Sequence, residues 1–172
     1  MNILSLNIAR CALSAWIAAA AMFVITSVHE VTSSEFSSTV RSQLALLRFP
    51  TYYAFGFTLV PVAIVAVLVA CTQRGGAKPK VRWAIGLLSL ALLSMIVDYV
   101  SIYSPMVDML AAESAGRARP SNFLSYHRAS ETINALGVGL CLVALIVLCV
   151  PDVDWSRGGE GGNGRGGDKT QA

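Results

Sequence analysis

Charge is scarce in this sequence. Only 13% of its 172 residues are Asp, Glu, Lys or Arg, about half the share of an ordinary soluble domain, so the chain cannot dress a whole folded surface for water. The net charge of +3 is small and scattered along the chain, which argues against a nucleic-acid partner. No Gly-x-Ser-x-Gly elbow, phosphate loop or dinucleotide fingerprint occurs, and this sets aside ordinary hydrolases and kinases. The two histidines and four cysteines form no compact metal-ligand motif. On these absences the chain reads as a non-enzyme.

What the chain has instead is apolar length. Hydrophobic residues make up 55% of it. They gather in four runs, at about 11–28, 52–71, 83–103 and 133–150, each long enough as a helix to cross a ~30 Å hydrocarbon core. The expected fold is all-α: an integral membrane four-helix bundle occupying residues 1–155, followed by a disordered Gly-rich tail over 156–172. Arg157-Gly-Gly and Arg165-Gly-Gly in that tail lack the aromatics that would make them RNA-binding repeats. The first run continues through Val28, beyond the ~7–15 residues of a signal's apolar region, so it is expected to stay as a span.

Orientation follows from the basic residues. The loop Arg74-Gly-Gly-Ala-Lys78-Pro-Lys80-Val-Arg82 carries four cations and no acid. Short basic loops stay on the cytoplasmic side, which puts both termini there, in a bacterial inner or plasma-type membrane. Trp83 and Trp155 then mark the cytoplasmic interface, and Tyr52 and Tyr53 the opposite one.

Between the first two runs, Thr32-Ser-Ser-Glu35 fits a capping box. Phe36, Val40, Leu44 and Leu47 share one face opposite Ser34, Ser38, Arg41 and Arg48, so an interfacial amphipathic helix is expected in the first outer loop. Phe49-Pro50 should end it, and Pro61 should kink the second span. After the third span Ser104 and Pro105 can open a further helix that Gly116 closes, and Ser121 can cap the last one. The alanines at 15 and 18–21 suit close helix approach in lipid.

Asp98 is the most informative residue, because an ionisable group inside a span costs several kcal/mol unless paired or hydrated. It stands about 22 Å up its helix from Trp83. Counting the same height on the other helices reaches Asn134 and Thr26, with His29 and Glu30 one turn higher. His127, Ser130, Glu131 and Asn134 share a helix face. Gly137, Cys141 and Ala144 continue that face with small residues, and Ser94 lies one turn below Asp98. Two readings stand side by side: a bundle-locking polar node, and a polar cavity able to hold a metal, protons or a cofactor. In the second, His29 and His127 would ligate haem or a transition metal in a redox protein. Cys11, Cys71 and Cys149 fall at one level and read as reduced apolar fillers.

The run Phe123-Leu-Ser-Tyr126-His127-Arg-Ala-Ser130-Glu-Thr-Ile-Asn134 resembles the F-x-x-Y-H-x-x-S-x-x-x-N pattern of the transmembrane protein 205-like family. Phe49-Pro50 before tyrosines, and Val97-Asp98 before Pro105, agree with it over roughly Arg10 to Val150. Asp98 stands where that family usually has asparagine, and Trp16 is followed by Ile17 instead of glycine. The resemblance implies a four-span protein without an established activity and a shared polar site at Asp98, Tyr126, His127, Ser130 and Asn134. The sequence therefore predicts a non-enzymatic, transporter-like or membrane-organising component. The lipid bilayer is its first partner, other membrane proteins are further candidates, and no cofactor is required.

Overall fold

A computed structural model describes residues 3–72, 79–118 and 120–150. Five α-helices account for nearly all of them: α1 (Ile3–Thr32), α2 (Ser38–Thr72), α3 (Pro79–Asp98), α4 (Ser104–Ser114) and α5 (Phe123–Cys149). A wider π-type turn, Tyr99–Tyr103, joins α3 to α4 without a break. The chain therefore has four helical rods long and apolar enough to cross a membrane, the third running Pro79–Glu113. This is an all-α membrane bundle. Trp155, Arg74, Lys78 and the Gly-rich tail lie outside the described residues.

Packing is by two close pairs, α1 with α2 and α3 with α5, closed into a ring by α2 on α3 and α1 on α5. The α3/α5 seam has a heptad rhythm. Its buried residues are Val81, Ala84, Leu88, Ala91, Met95 and Asp98 on α3, facing Ser130, Gly137, Cys141, Ala144 and Leu148 on α5. Alternating steps of three and four keep one stripe of each helix on its neighbour. The small residues expected on α5 are indeed buried there, and a Cβ on Gly137 would come 3.2 Å from Ser94 Oγ. On α1 the stripe is Ser5, Leu6, Ala9, Ala12, Leu13, Trp16 and Ala20. Of the alanines expected to pack, only Ala20 is buried, while Ala15, Ala18 and Ala21 face outward. A glance at alanine content does not distinguish the two sides of a helix that is apolar all round.

Several expected boundaries move. The amphipathic segment is helical, but it is the first three turns of α2 and continues through Pro50, while Pro61 lies inside the same helix as expected. A proline frees the carbonyl one turn back, and in a membrane bundle neighbouring helices, hydroxyl side chains and small backbone adjustments can satisfy it, so the helix runs on. Val40 and Leu47 of its apolar face point outward. The cap is Ser37, whose Oγ accepts the Val40 N–H at 3.3 Å. Thr32 ends α1, its hydroxyl donating back to Val28 O at 2.9 Å. Ser104-Pro105 opens α4 as expected, with proline in its first turn, but Ser104 supplies no cap and the helix follows the wide turn without a break. Pro105 has no N–H for the carbonyl four residues back, and its ring would crowd it. The wide turn before it, where Ser104 N–H reaches Tyr99 O, takes up that mismatch. Asn122, not Ser121, precedes α5, and it makes no side-chain cap. Gly116 behaves as expected, with φ of 81° and Arg117 N–H donating to Ala112 O at 3.0 Å, a left-handed close that favours glycine.

At the end of the bundle where the chain begins, cations hold the tail of α5. Arg10 donates to Leu148 O at 2.5 and 3.2 Å, and Lys80 Nζ to Val150 O at 2.9 Å. These carbonyls lack helical partners, and positive charge is favourable at a helix C-terminus.

Close approach is tightest at Gly56, where a Cβ would lie 2.4 Å from Met95 Cε and 2.9 Å from Trp16 Cη2. Gly56→Val should therefore cost about 1–3 kcal/mol through overpacking, read as a lower melting temperature in detergent. Gly86→Ala, at a site with nothing within 4 Å, should leave it unchanged or slightly raised. Equal effects at the two positions would contradict this packing.

Candidate functional site

Asp98 is the last residue of the α3 stripe, and the heptad that buries Ala91 and Met95 buries it too. It is 0% exposed. One carboxyl oxygen, Oδ2, collects all of its hydrogen bonds. It accepts from Tyr53 OH on α2, from Ser130 Oγ at 3.1 Å and from Asn134 Nδ2 at 2.6 Å on α5. Asn134 is fixed in turn. Its Nδ2 also reaches Ser130 O at 2.9 Å and Ser130 Oγ at 3.1 Å, and its Oδ1 accepts from Tyr52 OH at 3.0 Å. Three rods thus meet at one carboxyl group. Its other oxygen, Oδ1, is buried without a hydrogen-bond partner, and no cationic side chain pairs with Asp98 among the described residues.

Around the node stands an aromatic wall. Tyr53 packs against Tyr103 and Tyr99 with ring centroids 4.7 and 5.1 Å apart, and Tyr52 against Trp16 and Phe23 at 5.0 and 4.6 Å. The wall screens the carboxyl group from outside and holds each hydroxyl in line with its acceptor. Such tilted and edge-on pairs add about 0.5–1.5 kcal/mol each beyond area burial.

The residues expected at one level do not form one cluster. Asp98, Ser130 and Asn134 come together as expected. Glu30 pairs instead with Arg48 at 2.8 Å, and Arg48 also donates to Thr26 Oγ1 and Ser27 Oγ at 3.2 and 3.3 Å. His127 faces Glu131 on its own helix at 3.0 Å and stacks on Phe123 at 6.0 Å, with both side chains of the pair well exposed. Tyr126 is half-buried against the core, and His29 is exposed on α1. Among the described residues no three of His, Cys, Asp and Glu converge on a metal position, and all four cysteines are free thiols. Counting height along the helices did not show which side of each helix these residues occupy.

Tyr52 and Tyr53 are the site residues that sequence reasoning missed. Read as interface markers, they are 8% and 2% exposed and donate into the node. The signal was available: counting up α2 from Cys71 puts them at about 27–29 Å, about one turn above the height of Asp98 on its own helix and within a tyrosine's reach of it.

Fold and site together define a multi-pass, all-helical membrane protein with a buried carboxyl node. Comparison with family models, with curated proteins and with solved structures gives no match for this chain.

The bonding pattern ranks the two tyrosines. Tyr53→Phe removes a donor from a buried carboxyl oxygen and should cost about 1–3 kcal/mol. Tyr52→Phe should cost less, because Asn134 keeps its Nδ2 bonds. Thermal melting of both variants in detergent checks the order; a larger loss for Tyr52→Phe would overturn it.

Proposed function

We propose that this chain is a non-enzymatic membrane-organising component whose Asp98 node sets the register of the bundle, presenting a fixed helical surface to lipid and to other membrane proteins. One observation carries the reading: three donors from two other helices converge on a single carboxyl oxygen that is fully buried. A polar group placed so can satisfy itself in only one arrangement of the helices, which is how buried polar residues confer uniqueness. The resemblance to the transmembrane protein 205-like family supports it, since Ser130 and Asn134 of the shared pattern are the α5 partners of Asp98. The cytoplasmic placement of both termini belongs to the same proposal and rests on the Arg74–Arg82 loop.

The test compares Asp98→Asn with Asp98→Leu. Asparagine, the usual residue of the resembled family here, keeps an acceptor for the three donors and should give near-normal folded yield. Leucine leaves Tyr53, Ser130 and Asn134 without their acceptor, at about 1–3 kcal/mol each in desolvation, and should reduce yield several-fold. Normal yield and melting for Asp98→Leu would refute an organising role.

The competing reading, a redox protein with haem or a metal on His29 and His127, is separated by a visible spectrum and metal analysis of the purified protein. The organising role expects sub-stoichiometric metal and no chromophore. A stoichiometric group lost in His127→Ala would replace it.

A further inference from the structure

The face between α1 and α2 carries a groove of about 440 Å³, with Trp16, Ala19 and Phe55 toward its deep end and Thr26, Arg48 and Thr51 toward its polar end. From Trp16 to Thr26 it spans ten residues of α1, about 15 Å, which is one leaflet of a ~30 Å hydrocarbon core. Its rim is strongly exposed and apolar: Met22 is 59%, Leu47 72% and Phe55 51% accessible. Among the described residues no other helix lines this groove, so within a bilayer it lies open to lipid.

The polar end is built for more than an acyl chain. Arg48 spans α2 to α1, bound to Glu30, Thr26 and Ser27 and lying over the Phe23 ring at 5.4 Å. Its side chain is 25% exposed, so part of the guanidinium lies open at the groove's mouth. A guanidinium edge suits a phosphate oxygen. Beside it the Glu30 carboxylate supplies the opposite sign. Positive and negative groups side by side match the phosphate and ammonium of a zwitterionic headgroup.

We infer that this groove is a phospholipid site: the phosphate accepts from Arg48, the headgroup amine lies toward Glu30, and one acyl chain runs down to Trp16 and Phe55. Trp16, Phe23 and Tyr52 line both the groove and the wall around the node, but none of them bonds Asp98 itself, and the site requires only that the chain be embedded in lipid, so it can fail while the organising role stands.

Native mass spectrometry in a mild detergent, titrating dioleoyl phosphatidylethanolamine, tests it. The wild-type protein should saturate at one retained lipid per chain. Ala19→Phe fills the groove without touching Arg48 or Glu30, and should weaken retention about tenfold or more with an unchanged melting temperature. Arg48→Ala should weaken it similarly, whereas Arg41→Ala, away from the groove, should not. A continuous distribution of bound lipids without saturation, or equal retention by well-folded Ala19→Phe, would overturn the site.

Discussion

A carboxyl group in hydrocarbon must find donors within the protein, and the arrangement of this bundle follows from how Asp98 does so. Water at that depth cannot be counted on, so the donors must come from other helices. The heptad on α3 delivers Asp98 to the seam. Ser130 and Asn134 meet it from α5, and Tyr53 reaches across from α2. Because hydrogen bonds need both distance and angle, a register slip of either neighbour would strand several polar atoms at once.

The rest of the packing is consistent with this constraint. Glycine and alanine on the α3/α5 seam let the backbones approach closely enough for short side chains such as Ser130 to reach Asp98. Gly56 does the same for α2, admitting Met95 and Trp16 directly beneath the node. At the opposite end of α5, Arg10 and Lys80 bind its last carbonyls from α1 and α3. That helix is thus fixed at two levels, by a carboxyl group at one and by cations at the other. Apolar packing, which discriminates weakly between rotations of a helix in lipid, is supplemented by polar contacts that do discriminate.

Much of this was legible in the sequence. Apolar runs gave the four rods, because hydrocarbon thickness sets a length few other structures need. Counting residues along each helix brought Asp98, Ser130 and Asn134 together, and the small face of Gly137, Cys141 and Ala144 followed from the same spacing. What failed was azimuth. Glu30 and His127 find partners away from Asp98, Arg48 and Glu131 respectively, and His29 is exposed, since rise per residue fixes depth and says nothing about which neighbour a side chain meets. One boundary also failed: Pro50 was read as a stop, yet α2 runs through it. Tyr52 and Tyr53 were misread too, as residues fond of interfaces turned inward where a carboxyl group needed their hydroxyls.

The account depends most on the two helices flanking α3 acting through the same carboxyl oxygen. A double-mutant cycle pairing Tyr53→Phe on α2 with Ser130→Ala on α5, read by unfolding in detergent, measures that directly. Because both donors share Asp98 Oδ2, their losses should be non-additive by about 0.5 kcal/mol or more. Strict additivity would mean that α2 and α5 do not meet at Asp98, and the account would fail.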